Sequence, residues 1–247
     1  MNTPIADFLE DYEKKGMLRL HMPGHNGEAP HDITEIAGAD SLYETDSSRG
    51  IIAHSEAIAA KLFGAERTCY SAGGSTLAIQ AALAILRAQG CKTIAAERCS
   101  HRSLVSSAAL LGLEVKWLYP KEYPSADVDC SKEALSGADA LFLTNIDYYG
   151  GTCRASDPGI PVVVDNAHGS YLKFVSKAGF GREYLHPMEF GFPVISAESA
   201  HKTLPALTGA AYLHFSKGAD FSRAKEMTAL FGSTSPSYLV MESLDKV

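Results

Sequence analysis

The stretch Val162-Val163-Val164-Asp165-Asn166-Ala167-His168-Gly169 joins a short apolar run to an acid and a turn of small residues. Three valines followed by turn-forming residues predict a buried strand that ends at Asp165. In an open α/β sheet, ligands bind beyond the carboxyl ends of the strands, which is where this side chain would lie. A carboxylate buried there needs a cation or hydrogen-bond donors, and a protonated pyridine nitrogen would serve. The alternative is a structural aspartate that caps the loop.

Strands and helices alternate on both sides of this stretch. Strands are predicted at 67–71, 93–96, 115–119, 141–145, 162–165 and 194–196, and helices at 52–62, 77–88 and 100–111. This order predicts one α/β domain with a mostly parallel sheet and helices on both faces. We divide the chain into an N-terminal arm and loop at 1–50, with a helix ending near Gly16, and a large domain at 51–247. We expect a ragged tail after the last strand.

Composition excludes several classes of function. The formal net charge of −7 over 247 residues gives no basic surface for nucleic acid. No apolar run approaches the roughly 20 residues that span a bilayer, and the first residues lack a signal-peptide pattern, so we expect no membrane association. Five cysteines without CxxC spacing favour a reduced, cytoplasmic setting. Pro23-Gly24 separates His21 from His25 and makes a shared helix face improbable, so we predict no metal site.

A lysine follows another apolar run. Phe192–Ile195 leads into Ser199-Ala200-His201-Lys202-Thr203-Leu204-Pro205. Burial at this position would favour the neutral amine of Lys202, a nucleophile that can form a Schiff base with a carbonyl cofactor. The alternative is an ordinary solvated lysine at a strand end.

Two further stretches carry groups that fit the same kind of ligand. Gly73-Gly74-Ser75-Thr76 leads into a helix and could cradle a phosphate, although Ser75 and Thr76 could also merely cap that helix. His101 begins the next helix and could stack on an aromatic ring or simply cap its own turn. Taken with Asp165 and Lys202, these groups match the parts of pyridoxal phosphate (PLP) one by one.

Together these residues resemble the group III ornithine/lysine/arginine decarboxylase family, on the aspartate-aminotransferase-like (type I) PLP fold. The pieces that carry the resemblance run through nearly the whole chain. They are His21-Met22-Pro23-Gly24-His25, Asp32-Ile33-Thr34-Glu35, Gly74-Ser75-Thr76, Ser100-His101-Arg102-Ser103, Tyr148-Tyr149-Gly150, Val164-Asp165-Asn166-Ala167-His168-Gly169, the run from Ser199 to Thr208, and Ser233-Thr234-Ser235-Pro236-Ser237-Tyr238.

The resemblance implies a role for each site residue. Lys202 would hold PLP as a Schiff base, Asp165 would pair with the pyridinium nitrogen, and His101 and Ala167 would lie on opposite faces of the ring. The implied phosphate ligands are Ser75, Thr76, Ser199 and His201. Ser233 and Thr234 would reach the phosphate of a neighbouring subunit, which implies a homodimer with shared sites. His168 would lie near the substrate, and it or Lys202 would return the proton.

The implied activity is PLP-dependent decarboxylation of a basic amino acid, namely lysine, ornithine or arginine. Asp40, Glu44 and Asp46 are candidate partners for the distal amine. Because an aspartate and a lysine do not fix the reaction type, another PLP reaction, that of an aminotransferase or a lyase, stays open. A catalytically silent PLP-binding or dimerisation protein is the third possibility.

The sequence departs from the family pattern in three places. Asn26 and Asn166 stand where a lysine and a glutamate are common in the family. Between Gly151 and Pro161 the chain is short where relatives carry a crossover helix, and a parallel crossover needs about a dozen residues. The sequence ends at Val247, whereas relatives continue into a smaller C-terminal domain. We therefore expect a minimal or truncated PLP domain.

Overall fold

A computed structural model describes residues 2–29, 31–34, 39–44, 50–120, 127–153, 156–175 and 184–247. Glu35 and Asp46, two residues named above, lie outside these ranges. The division of the chain at residue 50 stays a prediction, because residues 45–49 are outside them as well.

The described chain contains seven strands and eight α-helices. In order they are α1 (Pro4–Lys14), α2 (Ile51–Phe63), β1 (Arg67–Ser71), α3 (Gly74–Ala88), β2 (Thr93–Glu97), α4 (Arg102–Leu111), β3 (Glu114–Leu118), β4 (Ala140–Thr144), β5 (Val162–Asp165), α5 (Leu172–Val175), β6 (Val194–Glu198), α6 (Ala200–Thr203), β7 (Ala211–Phe215), α7 (Ala224–Phe231) and α8 (Tyr238–Asp245). A 3-10 turn, Pro187–Glu189, precedes β6.

The strands form one sheet in the order β1-β7-β6-β5-β4-β2-β3. Neighbours from β6 to β3 are parallel, whereas β7 is antiparallel to both β6 and β1. The predicted, mostly parallel sheet is therefore confirmed. Because β4, β5 and β6 run in the same direction, their carboxyl ends meet at one edge of the sheet.

Side chains alternate between the two faces along each strand, as a period of two requires. Val163 and Ile195 pack with α3 in one buried cluster, whereas Val162, Val164 and Val194 belong to another cluster on the opposite face. Helices α3, α4 and α7 contribute to the first cluster, and α1, α2 and α8 pack beside β1 and β7 on the second side. The expectation of helices on both faces is confirmed.

The expected ragged tail is wrong, because the chain after β6 forms β7, α7 and α8. Strand β7 fills the gap between β1 and β6, and its His214 and Tyr212 are buried, so its sequence lacks the simple apolar run that marks β5. Helix α7 packs on α3, and α8 buries Met241 and Leu244 beside α1.

The connection between β4 and β5 is the short segment that stands where relatives carry a crossover helix. These strands pair in parallel with Thr144 opposite Asp165, and no helix occurs between them in the described residues of 145–161. The short link therefore still closes a parallel pair. Among the described residues, no helix has both the length and the apolar character needed to cross a membrane.

Candidate active site

A cavity of about 250 Å³ lies at the carboxyl edge of the sheet, beyond β4, β5 and β6. Every residue predicted to bind the cofactor or to act in catalysis lines it, except Ser233 and Thr234. The lining residues are Gly74, Ser75, Thr76, Cys99, His101, Thr144, Ile146, Asp147, Tyr148, Asp165, Ala167, His168, Ser199, His201 and Lys202. The sheet topology thus brings together residues that lie up to 128 positions apart, from Gly74 to Lys202.

Asp165 is the last residue of β5, and only 4% of its surface is exposed. Its Oδ1 accepts a hydrogen bond from the Ala167 N–H at 3.1 Å. Burial raises the pKa of the Asp165 carboxyl, and this rise is opposed by the Ala167 N–H and by the positive charges of His101 and Lys202. A cation delivered into the cavity would therefore stabilise the ionised form.

The N-terminus of α3 faces the same cavity. Gly74 has a φ of +72°, a conformation that glycine adopts readily, and its N–H donates to the Gly209 carbonyl at 2.8 Å. No side chain caps this helix, so the alternative in which Ser75 and Thr76 merely cap it is not what the structure shows. The Ser199 hydroxyl instead donates to the Ser75 hydroxyl at 2.7 Å and ties α3 to the end of β6. Helix amides and paired hydroxyls favour an anion here.

Two histidines are fixed by their own backbone surroundings. His101 caps α4, and its Nδ1 accepts a hydrogen bond from the Ser103 N–H at 3.2 Å, so the capping alternative holds. His101 also lines the cavity, and its stacking on a ring stays a prediction. His201 Nδ1 lies 3.0 Å from the Ala210 carbonyl oxygen. Because a carbonyl only accepts, His201 Nδ1 carries a proton, and Nε2 is the nitrogen left for a ligand.

Lys202 lies in the four-residue helix α6 and lines the cavity, but its residue is exposed. The expectation of a buried amine is therefore wrong for this structure. Helix α6 follows β6 at the open edge of the sheet, where the packing that buries the strands ends. Lys202 is exposed for this reason. His168 lies across the cavity, and burial lowers its pKa, assisted by the positive charges of Lys202 and His101. The Tyr148 ring meets the His168 ring edge-on at 5.1 Å.

Sequence reasoning missed several lining residues, namely Cys99, Thr144, Ile146 and Asp147, and it quoted Tyr148 only within a family motif. Thr144 ends β4, and Cys99, Ile146 and Asp147 lie two or three positions after the end of β2 or β4, so their place at a strand end was the available signal. Ile146 has a φ of +60°, an outlier for a β-branched residue, and Asp147 holds the turn by accepting from the Tyr149 and Gly151 N–H groups, each at 2.8 Å.

A second acid, Glu97, lies behind the cavity at the end of β2 and is fully buried. Its carboxyl accepts a hydrogen bond from the Thr144 N–H. Burial raises the pKa of Glu97 to about 8, although the Thr144 bonds oppose this, and the negative charges of Asp165 and Asp147 add to the rise. Glu97 is therefore largely protonated at neutral pH.

The remaining candidates lie elsewhere. Ser233 and Thr234 are exposed and outside the cavity, and Thr234 lines a separate cavity of about 270 Å³ together with Asp40. Both oxygens of Asp40 accept from the first amides of α2, those of Ile52 and Ala53. Neither Asp40 nor Glu44 lines the first cavity, so their proposed contact with a distal amine stays a prediction.

Comparison with known proteins extends these observations. Residues 142–247 match the major domain of the Orn/Lys/Arg decarboxylase family. The uncharacterized protein YaaO of Bacillus subtilis (strain 168) is 30% identical over 99% of this chain and 56% of its own length. An arginine decarboxylase of Bacillus anthracis is 26% identical over 98% of this chain and 54% of its own length. The chain thus spans about half the length of the curated relatives it matches.

Lysine decarboxylase A from Pseudomonas aeruginosa superimposes with a TM-score of 0.75 at 20% identity, over 98% of this chain and 39% of that one. At that identity the likeness establishes the fold, which is the aspartate-aminotransferase-like (type I) PLP large domain. The matched domain, the relatives and the shared fold agree with one another, and over the matched residues the chain is similar to the Orn/Lys/Arg decarboxylase family.

Proposed function

We propose that this protein is a PLP-dependent decarboxylase of a basic amino acid and that it holds its cofactor as a Schiff base on Lys202. One observation carries the proposal. A buried carboxyl at a strand end (Asp165), an amine (Lys202) and an uncapped helix N-terminus (at Ser75) converge on a single cavity. These are the three groups that a pyridinium nitrogen, an aldehyde and a phosphate require.

The donor set of the cavity fits PLP. Among the described residues, no basic side chain forms an ion pair with Asp165, although the carboxyl is buried. A pyridinium nitrogen would supply that partner, and the pair would lower the pKa of Asp165. Ser75, Thr76, Ser199 and His201 would hold the phosphate at the opposite end, where the α3 amides already favour negative charge.

Residues of the chain itself would confine the ring and return the proton. His101 and Ala167 would confine the ring, and His101 cannot rotate freely because Ser103 holds its Nδ1. Bound PLP supplies an electron sink for the bond that breaks to carbon dioxide. Lys202 and His168 are candidates for returning a proton to the substrate carbon. The lowered pKa of His168 favours its neutral form, which makes Lys202 the better donor.

The substrate class rests on the names of the relatives, which are arginine and lysine decarboxylases. Asp147 is the acid in the cavity besides Asp165, and it would attract a substrate that carries a second positive charge. We also propose a homodimer in which Ser233 and Thr234 complete the phosphate site of the partner chain, because both residues are exposed and lie outside their own cavity.

The test loads purified protein with PLP, reduces it with borohydride and maps the modified peptide by mass spectrometry. We expect a visible absorption band, and after reduction a covalent label on Lys202. The Lys202→Ala variant should lose both, whereas Lys217→Ala, which removes an exposed lysine after β7, should retain both. A label on another lysine, or no label at all, would contradict the proposal.

The products that the loaded protein releases show which type of reaction it catalyses. The loaded protein is incubated with lysine, ornithine and arginine, and carbon dioxide and the corresponding amine are measured. Release of both in equal amounts is expected for one of the three. A keto acid without carbon dioxide would indicate an aminotransferase, and a bound cofactor without turnover would indicate a silent PLP-binding protein.

A further inference from the structure

The strand ends that carry the cavity residues carry a second set of polar side chains on the opposite face of the sheet. Asn145 follows Thr144 of β4, Asn166 follows Asp165 of β5, and Glu198 is the last residue of β6, just before Ser199. Because successive side chains point to opposite faces, each of these residues faces away from its cavity neighbour. All three are fully or almost fully buried.

Glu198 is the centre of this set and has no exposed surface. Its Oε1 accepts hydrogen bonds from Asn166 Nδ2 at 3.1 Å and from the Ser196 hydroxyl at 3.0 Å, and His186 Nε2 lies 2.8 Å away. His186 Nδ1 accepts from the Met188 N–H, so the imidazole proton lies on Nε2, the nitrogen that faces the carboxylate.

Burial alone would raise the pKa of Glu198, but the neighbouring His186 and His214, together with the donors around the carboxylate, lower it. His214 lies on the other side of the carboxylate, with Nε2 at 3.8 Å from Oε2, and its ring packs against Phe63 of α2. Glu198 is therefore a fully buried carboxylate that remains ionised.

The hydrogen bonds continue from Glu198 across two more strand ends. Because Asn166 donates through Nδ2 to Glu198, its Oδ1 is left to accept, and Asn145 Nδ2 donates to it at 3.0 Å. Asn166 Oδ1 also lies close to Gly169, where an added Cβ would be 2.1 Å from it, so a larger residue at position 169 would displace this amide. A continuous chain of bonds thus links the ends of β4, β5 and β6.

Burying a carboxylate costs free energy, and apolar side chains of similar volume are often at least as stabilising. The network is therefore better explained by the positions it imposes on side chains than by the stability it adds. We propose that Glu198 is a positioning residue, which through Asn166 and Asn145 fixes the ends of β4, β5 and β6 and so aims Asp165 and Ser199 into the cavity. This inference rests on the proposed function, because it is the cofactor that those two residues would meet.

The experiment measures the dissociation constant of PLP and the visible circular dichroism of the bound cofactor, which reports how rigidly it is held. Glu198→Gln keeps the shape of the side chain and removes its charge. We expect its PLP dissociation constant to rise about tenfold, with a weaker dichroic band. The double variant Asn166→Asp with Glu198→Gln exchanges carboxylate and amide across the same contact, and it should recover most of the loss.

The matched control is Glu56→Gln. Glu56 is as deeply buried and accepts from the Tyr70 N–H and Lys225, but it does not border the cavity. This variant should lose stability while the folded protein binds PLP as the wild type does. If Glu198→Gln does not fold, Ser196→Ala removes one donor to Glu198 more gently, and roughly a threefold rise is expected.

Two results would overturn the inference alone: unchanged PLP affinity and dichroism in folded Glu198→Gln, or equal losses in Glu198→Gln and Glu56→Gln. A wild-type protein that does not bind PLP would overturn both this inference and the proposed function. Loss in Glu198→Gln with recovery in the double variant supports it.

Discussion

At the scale of single residues, the buried acid behind the cavity makes stability depend on pH. Glu97 has a folded-state pKa of about 8 against an ordinary value of 4.5. Between these values the folded chain holds a proton that the unfolded chain has lost, so the free energy of unfolding falls as pH rises from about 5 to about 8. We predict that Glu97→Gln removes this fall, which amounts to at most about 5 kcal/mol.

Urea unfolding at several pH values between 5 and 9 measures the slope. The control is Glu114→Gln on β3, because that side chain is exposed. Glu114→Gln should follow the wild type at every pH. A wild-type slope that persists in Glu97→Gln would show that another group holds the proton.

Residues at the cavity divide into those that sequence reveals and those that it does not. Asp165 and Lys202 were predicted because polar groups that follow apolar runs lie at the carboxyl edge of the sheet, whereas His168 was implied only by the family resemblance. The burial of Glu97 was not predicted, because an acid at a strand end is ordinarily expected to be solvated, and only the fold shows that it is buried. Sequence left open whether Lys202 is buried or exposed, because the openness of a sheet edge depends on neighbouring loops.

At the scale of elements, α8 supplies the N-terminal cap of α1. Thr3 makes no side-chain capping bond, whereas Asp245 Oδ2 accepts from the Ile5 and Ala6 N–H groups, both at 3.0 Å. The other oxygen accepts from the Ser55 hydroxyl of α2. One carboxyl at the end of the described chain therefore joins three helices.

We predict that Asp245→Ala lowers the free energy of unfolding by about 2–3 kcal/mol, because buried helix amides lose their acceptor. Thermal unfolding gives the magnitude, and amide hydrogen exchange at Ile5 and Ala6 should speed up. Lys246→Ala, which removes an exposed lysine whose buried partner Glu242 keeps its contact with His31, should cost less than about 1 kcal/mol. Equal effects of the two substitutions would argue against the capping role.

Elements with a simple apolar pattern were predictable from sequence, and elements that depend on distant partners were not. Strand β5 and helix α2 match their predicted positions to within one residue, because valine runs and a terminal glycine mark them locally. Strand β7 was missed because it places His214 where Thr68 bonds to it, 146 positions away, at 2.7 Å. The histidine interrupts an otherwise apolar and aromatic run and so weakens the local hydrophobic signal of the strand.

At the scale of the whole molecule, the order of strands and helices was sufficient to predict the fold class, since alternating strands and helices admit few packings. The antiparallel insertion of β7 between β1 and β6 was not predictable, because the sequence of a strand does not determine its position in the sheet.

The N-terminal segment has exposed apolar residues, which bear on assembly. Leu18 is 81% exposed and Leu20 is 83% exposed.

Exposed apolar side chains, and site residues that lie outside their own cavity, both fit the proposed homodimer with shared sites.

The test of the homodimer mixes two defective variants of the protein. Lys202→Ala lacks the amine, and Ser233→Ala with Thr234→Ala lacks the groups offered to the partner chain. In a mixed dimer, one site combines two defects and the other has none. We predict that equal mixing, after dissociation and reassociation, restores the visible band of bound PLP in about a quarter of the sites, because half the dimers are mixed and half their sites are intact. The band is read at a PLP concentration too low to saturate the double variant alone. A mixture that absorbs only as the average of its two components would show that each cavity is completed by its own chain.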